Sequence, residues 1–238
     1  SDLISVSERL VRWFWCGVLG ELYGSASETR FARDIEAVPA WANDESAPTP
    51  RTIQDASFTE SRLHSLRTRN AAAYKGIAAL ILARGARDWM EDKALDKVQY
   101  VDLAVDIHHV FPQKWCDDNG IDQEHRESIV NKTTISARTN RTIGGAAPSS
   151  YLSVIETRAQ IAAQRLDELV ASHLIPAEFL RANDFDAYFS FRREALCQLV
   201  ESAIGKAVQR DIDQGFANED SAQFEPDDLN DDTSLGDD

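Results

Sequence analysis

Apolar residues recur at helical spacing along almost the whole chain, and one stretch breaks that pattern. From residue 97 the run KVQYVDLAVDIHHVFP is β-branched and aromatic at both ends and stops at Pro112, which reads as a short strand near Asp106–Val110. NKTTIS, Asn131–Ser136, has the composition of a hairpin partner, and Asn119-Gly120 is the strongest turn signal between the two runs. ARTNRTIGG then reads as a short helix ended by Gly144-Gly145. The expected fold is mainly α with a small ββα motif, an α+β arrangement.

The flanks are helical. Residues 5–23 predict a helix rich in Trp and aliphatics, with Ser7 as N-cap and Gly24 past its end, and Ser27 starts a second helix (SETRFARDIEAV). Residues 43–57 hold two prolines and many small polar residues and read as a loop, after which helices are expected at Thr59–Ser65 and Thr68–Arg84. Pro148 opens a long helix to about Ser172, Pro176 opens another, and Asp184–Gly215 is a third. The expected divisions are a helical region over 1–95, the ββα unit with its C-terminal helices over 96–216, and an acidic, aperiodic tail over 217–238 that is expected to be disordered. There is no internal repeat. The chain begins in helical pattern without an initiator methionine and reads as the C-terminal part of a longer protein.

Composition narrows the function classes. At 238 residues and 43% hydrophobic content the chain can bury a core. It has no apolar run of membrane-spanning length and no secretory signal, so a cytoplasmic protein without a membrane partner is expected. Cys16, Cys116 and Cys197 are too scattered for a disulfide framework or a zinc knuckle and are expected to be free thiols. The net charge of −15 argues against strong non-specific DNA binding. The stretch from Asn218 to Asp238 carries nine acids and no Lys or Arg. Between Asp106 and Arg165 the two signs balance, with Lys114, Lys132, Arg138, Arg141 and Arg158 near the ββα unit.

The residues that carry chemistry are Asp106-Ile107-His108-His109-Val110-Phe111-Pro112, then Asn131, then Asn140. Two short antiparallel strands followed by a helix can bring one strand residue and one helix residue to a single ion. His108 and His109 are adjacent in a strand and point to opposite sides, so one can hold a metal while the other faces an attacking water. Phosphodiester hydrolysis needs a base for that water, a cation to neutralise the phosphate, and a group that fixes the base's orientation. Imidazole, with its pKa of about 6.5, suits the base. An imidazole with an Asn amide oxygen and several waters suits a hard, hydrated divalent ion.

D-x-HH-x-F-P, followed by N-K-T-T-I-S-A-R-T-N-R-T-I-G and then P-S-S-Y-L, resembles the HNH (ββα-metal) nuclease domain at the C-terminus of GmrSD-type restriction endonucleases and related phage-defence proteins. The likeness covers about forty-five residues, and RWFWCGVLGELYGSASETRFARDI is similar to the helical region that precedes the nuclease there. The resemblance implies a DNA endonuclease that leaves 5′-phosphate and 3′-hydroxyl ends. It places His109 on the general base, Asn131 on the central Asn that orients it through the side-chain amide, and His108 and Asn140 on the ligands of Mg²⁺ or Mn²⁺. His108 stands where HNH enzymes often have an acid. Arg141 falls on a phosphate contact. The family pairs this nuclease with an upstream ParB-like nucleotide-hydrolysing domain, of which this chain shows no segment. One such centre cuts one strand at a time, so a double-strand break needs two copies, as in a homo-oligomer, or two events.

Other readings stand beside these. Asp106 is a third ligand, a partner of a histidine, or a solvated strand-start carboxylate. Lys114 and Arg138 face phosphate or are surface charges. His125 reads as solvated, and His64 and His173 as helix-surface residues. Two other classes of function are open: a catalytically inactive DNA-binding or assembly module with an HNH-like fold, and a zinc-stabilised domain using His108, His109 and Cys116.

Overall fold

The computed structural model describes residues 2–24, 27–44, 46–95 and 106–212; the expected tail over 217–238 lies outside them. Five helices come first: α1 (Leu3–Leu19), α2 (Ser27–Asn43), α3 (Arg51–Asp55), α4 (Arg62–Ser65) and α5 (Ala72–Ala83). The carboxylate of Asp2, not Ser7, caps α1 by accepting from the Ile4 N–H. α3 falls within the stretch expected to be loop, where Pro50 precedes it with an extended backbone suited to a helix start.

The strands are β1 (Asp106–His109) and β2 (Lys132–Ile135), an antiparallel pair with His108 opposite Thr133 and His109 opposite Lys132. The connection is more than the turn region expected around Asn119-Gly120. It contains two short helices, α6 (Gln113–Asp118) and α7 (Gln123–Glu127), and a 3₁₀ turn at Ile129–Asn131. Asn119-Gly120 instead ends α6, with Gly120 at φ +72°, a left-handed conformation that glycine adopts without strain. β2 runs through Ser136 directly into α8 (Ala137–Ile143), and Ser136 caps it by accepting from the Thr139 N–H.

Four helices complete the fold: α9 (Pro148–Ala159), α10 (Ala163–Ala171), α11 (Ala177–Ala182) and α12 (Phe185–Ile204). The single helix expected from Pro148 to Ser172 is two, because Gln160 turns left-handed at φ +55°. The expected helix to Gly215 stops at Gly205, φ +65°, where the Arg12 guanidinium caps the last carbonyls: its Nε donates to Ile204 O at 3.0 Å and its Nη2 to Gly205 O at 3.2 Å.

One continuous buried cluster includes Leu19, Leu63 and Ile77 from the N-terminal helices and Phe111, Ile135, Tyr151 and Tyr188 from around the strands. Both parts of the chain therefore help to support the strand pair. Phe111 is fully buried, with ring centroids 5.0 Å from Tyr188 and 5.2 Å from Phe185, which anchors the chain immediately beyond His109.

Candidate active site

Strand alternation separates the two histidines, and the register fixes their neighbours. His109 shares a face with its cross-strand partner Lys132, and both reach the same carboxylate oxygen: His109 Nε2 lies 3.1 Å and Lys132 Nζ 3.2 Å from Glu127 Oε2. The other oxygen of Glu127 accepts from Gln113 Nε2 and from Arg126 Nε, each at 2.9 Å. Burial pushes the Glu127 carboxyl up, but the His109 hydrogen bond and the positive groups around it outweigh that and hold it far below the usual carboxylate range. Glu127 is thus an ionised, acceptor-only group wedged against the ring. Sequence reasoning did not single it out, because it lies eighteen residues beyond His109 in an acid-rich run, and only the packing of α7 brings it to the strand end.

Asn131 is buried and does not touch the His109 ring. Its side-chain amide bonds to backbone on both sides of the site. Its Oδ1 accepts from the Phe111 N–H at 2.9 Å, and its Nδ2 donates to Phe111 O and Arg126 O, both at 3.0 Å. Its own carbonyl accepts from the Val110 N–H at 2.8 Å. Asn131 therefore clamps the backbone after His109 to the backbone before Glu127, and acts on the His109–Glu127 pair from both sides.

His108 is half-buried on the opposite face, in register with Thr133. The Thr133 hydroxyl meets His173 Nδ1 at 2.8 Å, and His173 Nε2 donates to Arg87 O at 2.7 Å. His173 is fully buried rather than on a helix surface, and burial lowers its pKa to about 4. Asn140 sits half-buried in the middle of α8. The junction that leads to it is fixed by Asp88, a buried carboxylate that accepts from the Ser136 N–H and the Thr139 hydroxyl at 2.7 Å each. Asp106 opens β1 opposite Ile135, and its side chain lies outside the described residues.

Of the three expected phosphate contacts, Lys114 pairs with Asp118 at 2.8 Å and Arg138 with Glu91 at 2.5 Å, while Arg141 is exposed in the last turn of α8. His64 is buried against Phe189, with its Nδ1 at 3.2 Å from Glu124, and so is not on the surface; His125 is half-buried with its ring 5.1 Å from that of His64. Cys116 is buried against Phe111 O, and desolvation raises its thiol to about 12. Among the described residues no three His, Cys, Asp or Glu side chains come together as a metal ligand set, so His108, His109 and Cys116 do not form a zinc site.

No protein-family profile matches this chain, and no solved structure matches it. The chain is similar to an uncharacterized protein of the archaeon Methanocaldococcus jannaschii, with 26% identity over 149 residues, which are 61% of this chain and 25% of that protein. It thus spans about a quarter of the length of the curated relative it matches. Among the described residues no helix is long and apolar enough to cross a membrane.

Proposed function

We propose that this chain carries a ββα centre that hydrolyses phosphodiester bonds in DNA, with His109 as the general base. The observation that carries the reading is the contact between His109 Nε2 and the ionised Glu127. A carboxylate can only accept, so Nε2 carries the hydrogen and Nδ1 keeps the lone pair that removes a proton from water. The imidazolium formed in that step lies beside a negative charge, which stabilises it. Asn131 holds the loop that keeps ring and carboxylate together. His108 and Asn140 are the residues that would hold Mg²⁺ or Mn²⁺, and such an ion supplies neutralisation of the phosphate and of the leaving 3′ oxygen. Arg141, exposed and close in sequence to Asn140, suits a phosphate contact. The likeness to C-terminal restriction nucleases supports DNA as the substrate, an upstream nucleotide-hydrolysing domain as the partner and phage defence as the setting.

A second reading, an inactive DNA-binding or assembly module, draws on the ion pairs that occupy Lys114 and Arg138. Supercoiled plasmid incubated with the chain and Mg²⁺ or Mn²⁺ separates the two. Nicking by the wild type that disappears in His109→Ala supports the nuclease. Retarded but intact plasmid supports the inactive module, and equal nicking by both proteins removes His109 from the chemistry.

A further inference from the structure

Arg192 on α12 is fully buried, and its Nε and Nη2 meet no hydrogen-bond partner among the described residues. Its polar contacts are made by Nη1, which donates to Val130 O at 2.9 Å, to Lys132 O at 2.7 Å and to the Tyr188 hydroxyl oxygen at 3.1 Å. Tyr188, one turn earlier, donates to the same Val130 O at 2.7 Å. A deeply buried cation satisfied through a single nitrogen is an inefficient source of stability. What it grips is the informative part.

We infer that Arg192 and Tyr188 are positioning residues of the site: by fixing the carbonyls on both sides of Asn131, they seat the His109 ring against Glu127. The inference rests on the reading of His109 as the general base. The carbonyls of residues 130 and 132 are both held by Arg192 of α12, while that of Asn131, between them, accepts from the Val110 N–H at 2.8 Å. That orientation sends the Asn131 amide onto the Phe111 backbone. It also sets Lys132, the cross-strand partner of His109, so that its ammonium and the His109 ring meet one oxygen of Glu127. The β1 side is held in the same manner, because the Tyr151 hydroxyl of α9 donates to Val110 O at 2.9 Å. The backbone on either side of the His109–Asn131 junction is thus tied to the C-terminal helices, which take no other part in the proposed reaction.

The test uses the full chain with its five histidines labelled with ¹⁵N, the His109 ring being assigned by its loss in His109→Gln. Tyr188→Phe and Arg192→Lys are compared with Arg12→Lys, which weakens a carbonyl cap at the far end of α12. The expected result is that Tyr188→Phe and Arg192→Lys broaden or shift the Nε2–H resonance of His109 toward a mixture of tautomers. Both also lower kcat for plasmid nicking roughly ten- to a hundredfold at unchanged KM, the scale of a small misplacement of a reacting group. Arg12→Lys lowers the melting temperature and leaves the His109 resonance in place. A His109 resonance unchanged in both site variants overturns the inference, whatever happens to their melting temperatures. A resonance that shifts in both site variants while the wild type shows no nicking activity upholds the positioning and overturns the general-base reading alone.

Discussion

His109 and Glu127 come from opposite ends of the long connection between the two strands, and their side chains meet at 3.1 Å beneath Lys132. Because Glu127 is held ionised, the contact selects one tautomer of the ring. Glu127→Gln keeps the shape and removes the charge, and an amide can bond to either ring nitrogen state. The expected outcome is a fall in kcat of roughly ten- to a hundredfold with KM unchanged, the usual cost of losing a group that orients a functional imidazole. Steady-state nicking rates check it, and an unaltered kcat would show that Glu127 serves packing only.

Asn131 makes a separate prediction, because its work is on backbone rather than on the ring. Asn131→Asp keeps the acceptor for the Phe111 N–H but sets a carboxylate oxygen against Phe111 O and Arg126 O, where Nδ2 now donates. Two buried carbonyls lose their donor and face a like charge, so the variant is expected to lose about 3 kcal/mol or more of stability. Urea unfolding measures this. A stable but inactive Asn131→Asp protein would return Asn131 to the chemistry itself.

The strand pair was legible because β-branched runs at Asp106–Val110 and Asn131–Ser136 differ from everything around them, and each matches an observed strand to within a residue at either end. The connection between them was not. Residues 113–127 are short and polar, without the apolar period that marks a longer helix, and are held as α6 and α7 by Trp115 against Phe111 and by the Ser128 hydroxyl that follows α7 donating to Leu63 O. Glu127 and Asp88 were invisible for the same reason: a carboxylate becomes functional only when the fold aims donors at it, and no local spacing records that. His64 and His173 read as surface residues because single polar positions in helical stretches usually are. Hydrogen bonds from distant elements made their burial tolerable.

The proposed ligands His108 and Asn140 include no carboxylate, which bears on metal affinity. Oxygen ligands that carry charge bind hard divalent ions more tightly. Asn140→Asp adds such a charge at a half-buried position on α8, and the half-saturating Mg²⁺ concentration for nicking is expected to drop by about tenfold. A metal titration at fixed plasmid concentration reads it directly. An unchanged midpoint would remove Asn140 from the ligand set.

His173 makes the fold acid-sensitive in a window that the structure defines. Buried between Thr133 and Arg87 O, its ring is held neutral and its pKa lies at about 4 in the folded chain, against about 6.5 when unfolded. Between those values the unfolded state binds a proton that the folded state refuses. Stability therefore rises with pH across the window and is lost as pH falls from about 6.5 to about 4. At about 1.4 kcal/mol per unit, the loss from this one group is about 3 kcal/mol. His173→Gln takes up no proton and is expected to be less stable at neutral pH but flatter over the same range. The difference between the two denaturation-versus-pH curves isolates the histidine from the carboxylates, which titrate in both proteins. Thr133 links this ring to the strand position opposite His108, so the His108 face of the strand pair should loosen with it. Parallel curves for the two proteins would mean that the ring accepts its proton inside the fold, and the neutral hydrogen-bond chain from Arg87 through His173 to Thr133 would then be wrong.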